Sequence, residues 1–283
     1  MAIRIITDSA SDIPQETAGE WNIRVIPLKV RFGEEEFLDG VTMTYDKFYA
    51  RLVESDELPK TSQIPPFEYE EEFRKGVEAG DDVIYLSLSS GVSGCYQSAC
   101  IAAEEFDGKV HVIDTKQFCI SEYIIVQRAV QLRDEGKTAA EIVDIIEEEK
   151  KNARVIALFD TLEYLKMGGR ISAAAAMAGG VLSIKPVITI EDGEVAVVGK
   201  ARGSKNGNNM LIQYIDKHGG IDYDKPMCLA YSGLSDDLLV KYKEDSKHLY
   251  VDYVEDIPTE HVGATIGTYA GPGAIACAYF HKS

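Results

Sequence analysis

The stretch that decides the fold is Val83-Ile-Tyr-Leu-Ser-Leu-Ser-Ser-Gly-Val-Ser-Gly94. Its first six residues are mostly apolar without strict alternation, which is typical of a strand covered on both faces. Two glycines and three hydroxyls follow, just before an apolar helical pattern over 95–106. Glycine lets a backbone approach a bound group without a side-chain clash. We therefore predict a strand, a loop that captures a small anionic group, and a helix, with Ser93 as the best donor.

The simpler interpretation of the same loop is structural. Serine at a helix start commonly caps the first turn, and glycines commonly shape the turn before it. On that interpretation Ser93 is only an N-cap. The local pattern leaves both interpretations open.

Around this unit the first half alternates between β-rich and helical runs. The other predicted strands are 3–7, 24–30 and 110–114, and the predicted helices are 14–21, 67–79, 95–106, 121–134 and 139–151. Such βα alternation is typical of a parallel sheet. The pattern changes near Asn152, which we take as a domain boundary that gives domains 1–152 and 153–283.

The second half contains an antiparallel element. Two β-rich runs, 187–190 and 195–198, flank Asp192-Gly193, a dipeptide that favours a tight hairpin turn. Further strands are predicted at 227–231 and 249–254, and helices at 161–167 and 235–244.

Composition excludes several classes of protein. The 283 residues carry 29 Lys and Arg against 47 Asp and Glu, a net charge of −18, which repels nucleic acid and anionic lipid surfaces. No signal-like segment opens the chain, and no stretch approaches about eighteen uninterrupted apolar residues. We expect a cytoplasmic protein without stable membrane insertion. The absence of an HExxH motif or a dense ligand run predicts no metal site.

Polar residues gather where the predicted parallel strands end. The first strand runs into Thr7-Asp-Ser-Ala-Ser-Asp12, and the fourth into Asp114-Thr115. Ligands bind beyond the carboxyl ends of parallel strands because loops and helix N-termini converge there. Thr61-Ser-Gln63 lies on a stiff loop before Pro65-Pro66, and Arg170 follows a glycine pair; each side chain could contact an anion or have a local role.

The candidate catalytic and nucleotide-binding motifs are incomplete or lie in the wrong context. Gly91-Val-Ser-Gly-Cys95 lacks the last glycine of GxSxG, and no motif links a histidine to Ser93. Gly271-Pro-Gly-Ala-Ile-Ala276 matches GxGxxA, but too little chain follows it for a βαβ unit. A serine-dependent acyl or phosphoryl ester hydrolase that uses Ser93 remains an alternative, because sequence does not show a base that is adjacent only in space.

Several motifs, taken in order along the chain, resemble the DegV family. The most distinctive is the serine-glycine segment followed by Tyr96-Gln-Ser-Ala99. The others are Thr7-Asp8-Ser9, Thr61-Ser62-Gln63, the stretch 160–171, Lys185-Pro186 and Gly271-Pro-Gly-Ala274. The resemblance implies an α/β protein of two domains, an N-terminal one with a parallel sheet and a C-terminal one with a mainly antiparallel sheet, with the ligand between them.

The resemblance also implies a lipid-binding carrier without its own catalytic site. Its ligand would be a long-chain fatty acid, with no other cofactor, and a separate fatty acid kinase subunit would supply ATP and make the acyl phosphate. Thr61 and Ser93 match residues that hold the carboxylate, and Arg202 matches an arginine at the rim that faces the kinase. The full set of ligand-binding residues expected from the resemblance is Thr61, Ser62, Ser93, Gly94, Arg170, Tyr269 and Gly271.

Tyr269 departs from the family pattern, in which a histidine commonly precedes the Gly-Pro-Gly segment. A tyrosine donates one hydrogen bond but titrates near about pH 10, whereas a histidine titrates near about pH 6.5. The departure affects acyl-phosphate handling more than fatty-acid binding, and it keeps a binder of another anionic ligand as a further alternative. The small residues of 173–178 are the one sequence candidate for a wall of the tail pocket.

Overall fold

The computed structural model describes residues 2–171, 184–251 and 257–282. Its strands are β1 (Ile3–Asp8), β2 (Arg24–Ile26), β3 (Lys29–Phe32), β4 (Glu35–Leu38), β5 (Lys60–Ser62), β6 (Asp82–Ser87), β7 (Val110–Asp114), β8 (Ala153–Leu158), β9 (Ile184–Glu191), β10 (Glu194–Arg202), β11 (Cys228–Tyr231), β12 (Thr259–His261) and β13 (Ile275–Phe280). Its helices are α1 (Gln15–Glu20), α2 (Tyr45–Glu54), α3 (Pro66–Glu78), α4 (Cys95–Ala103), α5 (Ile120–Asp134), α6 (Ala139–Glu149), α7 (Glu163–Met167), α8 (Ser204–Lys217), α9 (Asp237–Asp245) and α10 (Ala264–Ala270).

The first half forms the predicted parallel sheet. Its four strands lie in the order β2-β1-β6-β7, and all three pairings are parallel. Alternate residues of β6 enter different cores, because Ile84 and Leu86 pack on one face while Val83 and Tyr85 pack on the other. Burial on both faces explains why this strand shows no polar alternation in the sequence.

One predicted strand is wrong in extent. The run 24–30 divides at Pro27, which has no backbone NH to continue the ladder, into β2 of the parallel sheet and the start of β3. Strand β3 instead pairs antiparallel with β4 and β5, and Val30 lies opposite Thr61. The break therefore creates a small third sheet that carries Thr61.

The second half forms a six-stranded sheet in the order β10-β9-β8-β13-β11-β12. Every pairing is antiparallel except that of β11 with β12, so the prediction of a mainly antiparallel sheet is confirmed. The hairpin predicted at Asp192-Gly193 joins β9 to β10. The prediction of a strand at 249–254 is wrong for the described residues 249–251. Lys247–Leu249 form a 3₁₀ turn, and the NH of Val251 continues it by donating to the Lys247 carbonyl.

Helix α5 lies between the two large sheets and contacts β1, β8, β11 and β13. Its apolar residues surround the helix rather than forming one stripe, which is the pattern of a helix buried on all sides. The two sheets and α5 thus share one apolar core. Among the described residues, no helix is long and apolar enough to cross a membrane, and no group of three or more His, Cys, Asp or Glu side chains is placed to hold a metal ion.

The turn of the β9–β10 hairpin contacts the loop after β6. Gly193 has a positive φ of 85°, and its carbonyl accepts a hydrogen bond from Ser89 Oγ at 2.7 Å. A Cβ at Gly193 would collide with Ser89 Oγ. The glycine is therefore required by both the backbone conformation and the contact.

We predict that Gly193→Ala lowers the free energy of unfolding by about 2–5 kcal/mol, since a left-handed alanine costs about 1–2 kcal/mol and the forced contact adds about 1–3 kcal/mol. Gly33→Ala is the matched control, because Gly33 has a φ of 59° and open space around its Cβ position. It should lose only the conformational part. Urea denaturation of both variants measures the difference, and equal losses would contradict the contact.

Candidate functional site

A cavity of about 270 Å³ opens beside the carboxyl ends of the parallel strands. The loop before α4, the end of β5, the second turn of α10 and the segment around α7 meet there, together with the β9–β10 hairpin. The described lining residues are Leu28, Thr61, Ser62, Gln63, Leu88, Val92, Ser93, Gly94, Phe118, Phe159, Leu165, Arg170, Ile188, Val195, Thr265, Ile266, Tyr269 and Ala270.

Most of the residues expected at a ligand site lie in this one cavity. The six that line it are Thr61, Ser62, Ser93, Gly94, Arg170 and Tyr269. Gly271 lies outside the lining, where it ends α10 with a φ of 67° and where a Cβ would collide with the ring of Tyr164. Its carbonyl accepts from Ser232 Oγ at 2.7 Å, so its role in the structure is to turn the chain after α10.

The serine-glycine loop uses most of its own donors. Ser89 Oγ bonds to Gly193, Ser90 Oγ accepts from Lys116 Nζ, and the backbone NH of Ser90 bonds to Asp114 Oδ1. Of the backbone NH groups of residues 88–95, that of Gly94 alone has no acceptor among the residues that the structure describes. The Gly94 NH and the Ser93 hydroxyl are thus the donors that the loop leaves for a bound group, fewer than the sequence suggests.

Ser93 is not the N-cap of α4, because that position belongs to Gly94. Its Oγ accepts from the backbone NH of Cys95 at 3.2 Å, and the residue lines the cavity. A hydroxyl that accepts one bond can still donate its proton to a ligand. Among the described residues, no histidine or carboxylate is hydrogen-bonded to Ser93 to act as a general base.

Asp8, at the end of β1, is hydrogen-bonded to the start of the serine-glycine loop. Its Oδ2 accepts from the Leu88 NH at 3.2 Å and from Tyr85 OH at 2.7 Å, and its Oδ1 accepts from the Ala10 NH at 3.0 Å. The carboxyl group is fully buried. Burial, with a smaller contribution from the nearby charge of Asp39, raises the pKa of Asp8 from 3.8 to about 6.

The segment at the end of β5 meets both α10 and the serine-glycine loop. Thr61 Oγ1 and Tyr269 OH are hydrogen-bonded at 2.5 Å although the residues are 208 positions apart. The side chain of Gln63 passes so close to Gly94 that any Cβ there would collide with its amide. Gln63 Nε2 then bonds to Ser98 Oγ on α4 at 3.2 Å. A larger residue at position 94 would therefore displace the Gln63 amide from its place beside the cavity.

Arg170 lies across the ring of Tyr269 at the cavity mouth. Its guanidinium carbon is 4.8 Å from the ring centroid, and its NH1 donates to the Gly168 carbonyl at 2.8 Å. A Cβ at Gly168 would collide with the same ring, so the glycine makes room for Tyr269. The exposed arginine supplies a positive charge beside three hydroxyl groups, which suits an anion.

Behind the mouth lies a small apolar chamber of about 50 Å³. It shares Phe118, Phe159, Ile188, Ile266 and Ala270 with the main cavity, so the two spaces adjoin each other. The rest of its described lining is Cys119, Val155, Ala157, Ile190, Ala230, Val262, Ala274, Ile275 and Ala276. Sequence reasoning missed these residues because they come from four strands and look like ordinary core. The stretch 173–178, the sequence candidate for this wall, lies outside the described residues.

Arg202 ends β10 with an exposed side chain. It is seven residues beyond Val195, which lines the cavity, and seven strand residues span roughly 20 Å. The structure therefore places Arg202 on the surface away from this part of the lining.

Comparisons with known proteins agree with this geometry. The family model described as "Uncharacterised protein, DegV family COG1307" matches residues 2–282. A DegV domain-containing protein of Caldanaerobacter subterraneus is 34% identical, over 99% of each chain. A Thermus thermophilus DegV family protein, whose solved structure is described as fatty acid binding, superposes with a TM-score of 0.88 at 31% identity, over 99% of this chain and 100% of the other. A stearic acid-binding protein of Eubacterium ventriosum superposes with a TM-score of 0.88 at 27% identity, over 100% and 99%.

The pKa of Asp8 makes stability depend on pH. Between about pH 4 and about pH 6 the folded protein keeps a proton on Asp8 that the unfolded chain has lost, so the free energy of unfolding falls as pH rises through this window. A shift of this size corresponds to about 3 kcal/mol. Relative to Asp8→Asn, which does not titrate, the wild type should therefore lose about 2–3 kcal/mol between pH 4 and pH 7. Chemical denaturation at several pH values measures it, and a constant difference would contradict the assignment.

Proposed function

The chain belongs to the DegV family, and on that premise we propose that it binds one long-chain fatty acid, with the carboxylate at Thr61 and Ser93 and the tail along the apolar walls of the cavity and the adjoining chamber. The observation that carries the proposal is a polar mouth that adjoins an apolar chamber and shares five lining residues with it. A ligand that fits both parts has an anionic head and a long apolar tail. The fatty acids bound by the solved relatives have this chemistry.

The mouth offers a carboxylate several donors at once. They are the hydroxyls of Thr61, Ser93 and Tyr269, the free NH of Gly94 and the guanidinium of Arg170. Hydrogen bonds to a charged group contribute more than bonds between neutral partners, about 1.5–3 kcal/mol each. The Thr61–Tyr269 bond holds two of these hydroxyls together before any ligand arrives.

The tail supplies most of the favourable free energy. Burying about fourteen methylenes at about 0.8 kcal/mol each contributes on the order of 11 kcal/mol. Association costs of about 4–15 kcal/mol offset much of this gain. We therefore assign affinity mainly to the apolar walls of the cavity and chamber, and selection of the headgroup to the mouth.

Two further parts of the proposal concern the whole protein. We propose that the chain has domains 1–152 and 153–283 with the ligand at their interface, a division supported by the change of sheet after β7. We also propose that it acts as a carrier and presents the carboxylate to a separate ATP-dependent kinase. The support for this step is the family pattern, with exposed Arg202 as a candidate contact for that partner.

Lipid analysis of the purified protein tests the binding function. Mass spectrometry after denaturation should detect a fatty acid, and the identity of the extract also tests for another anionic ligand. Repeated lipid-free preparations that also fail to bind added fatty acid would overturn the proposal. Ester turnover that disappears in Ser93→Ala would instead favour the hydrolase.

For the headgroup we predict that Thr61→Val and Ser93→Ala each weaken fatty-acid binding about tenfold or more, because each removes one donor to the carboxylate. Ser90→Ala is the matched control, since Ser90 lies in the same loop but its hydroxyl bonds to Lys116. Its affinity should stay within about twofold of the wild type. Titration calorimetry measures all three, and equal affinities throughout would contradict the assignment of Thr61 and Ser93.

For the tail we predict that Ala276→Leu selectively weakens binding of long chains. Ala276 on β13 lines the chamber, and a leucine there would occupy space that the end of the tail needs. Affinity for an eighteen-carbon acid should fall about tenfold while that for a ten-carbon acid changes little. A competition series over chain length measures this, and an equal loss at every length would contradict the placement of the tail.

A further inference from the structure

Two carboxylates from the first half of the chain hold the N-terminus of α10. Asp12 Oδ1 accepts from the Gly263 NH at 2.8 Å. Asp39 Oδ1 accepts from the Ala264 NH at 2.8 Å, and its Oδ2 accepts from the Thr265 NH at 3.0 Å. Three successive amides that a helix start leaves without partners are thereby satisfied by side chains more than 220 residues away in sequence.

Both carboxylates are fully buried, and Asp39 is linked to the cavity wall. Ser9 Oγ donates to Asp39 Oδ2 at 3.1 Å and accepts from the Leu28 NH at 3.0 Å. Leu28 lines the cavity. The group that holds α10 is therefore part of the same framework as the mouth.

Helix α10 packs closely against α2. A Cβ at Gly267 would lie 2.6 Å from Tyr49 OH and 2.7 Å from a ring carbon of Phe48, so the helix rests directly on α2. Tyr49 OH also donates to the Val262 carbonyl at 3.0 Å, just before the helix. Tyr269 lies five residues after Ala264, about 7.5 Å along the axis. An anchor at the first turn thus sets where Tyr269 meets Thr61.

We propose that Asp39, assisted by Asp12, is the positioning residue of the headgroup site: it fixes the register of α10 and so places Tyr269 OH against Thr61 Oγ1. This inference rests on the proposed function, because it concerns how the carboxylate of a fatty acid is recognised. Asp39 does not touch the ligand. It acts through the helix that carries Tyr269.

The two residues should differ in how well asparagine replaces them. In Asp12→Asn the amide oxygen can still accept from the Gly263 NH, the one backbone NH among the described residues that bonds to Asp12. In Asp39→Asn an amide NH₂ replaces Oδ2, which accepts from the Thr265 NH and from Ser9 Oγ. The NH₂ is itself a donor, so these donors lose their acceptor. Asp39→Asn should therefore disturb α10 much more.

The test compares a fatty acid with its methyl ester, which has the same tail but no charged head. In the wild type the acid should bind at least about tenfold more tightly than the ester. In Asp39→Asn this acid-to-ester ratio should fall about tenfold while affinity for the ester changes less than about threefold. In Asp12→Asn the ratio should change less than about threefold. Hydrogen exchange of the α10 amides, without ligand, should speed up in Asp39→Asn.

Glu141→Gln is the matched control. Glu141 is also a helix-capping carboxylate, and accepts from the Thr138 NH at 2.8 Å, but α6 contributes no described residue to the cavity lining. Its acid-to-ester ratio should equal that of the wild type. General destabilisation would lower both affinities together, whereas loss of positioning changes their ratio.

The outcomes separate this inference from the proposed function. A wild type that binds neither acid nor ester overturns both. A wild type that prefers the acid, with a ratio in Asp39→Asn within about twofold of it, overturns the positioning role alone. If Asp39→Asn does not fold, Ser9→Ala is measured in its place, because this substitution removes one hydrogen-bond partner of Asp39. The acid-to-ester ratio of Ser9→Ala should fall about threefold, and an unchanged ratio overturns the inference.

Discussion

The carboxylates at the carboxyl edge of the parallel sheet are buried, and a buried carboxylate has to accept hydrogen bonds. Asp8 meets this requirement with backbone amides of the loops after β1 and β6, and Asp39 meets it with amides of α10. The backbone NH donors therefore have to lie beside these carboxylates. The serine-glycine loop and the helix that carries Tyr269 are placed around the cavity by this constraint.

This arrangement has an electrostatic cost. Burial raises the pKa of Asp8, Asp12 and Asp39, because the ionised form of each is less stable inside the protein than in water. At neutral pH the ionised groups therefore lower the free energy of unfolding. The backbone amides reduce that cost without removing it. A protein that only needed stability would gain by replacing such groups with apolar ones. Their presence at the cavity edge is consistent with a positioning role.

Sequence patterns predicted the parts of the fold that depend on local signals. The alternation of strands and helices, the Asp192-Gly193 turn and the loop before α4 are all visible within a few residues. The roles inside that loop were not, because the partners of Ser89 and Ser90 are Gly193 and Lys116 from distant segments. The Thr61–Tyr269 bond joins residues 208 apart, and the chamber is lined by alanines that in sequence look like any core. Pro27 did give a local signal for the division of β2 from β3.

Tyr269 connects the mouth with the selection of a ligand. Its hydroxyl and that of Thr61 are hydrogen-bonded to each other and so use one of their two protons, and a ligand gains only if it offers more than the bond it disturbs. A carboxylate can accept from both hydroxyls and carries a full charge near Arg170, whereas an ester oxygen is a neutral acceptor. On the proposed function, the hydroxyl pair therefore discriminates by the acceptor strength of the headgroup. Such discrimination depends on hydrogen-bond donation to the headgroup, and a tyrosine hydroxyl supplies a donor for it.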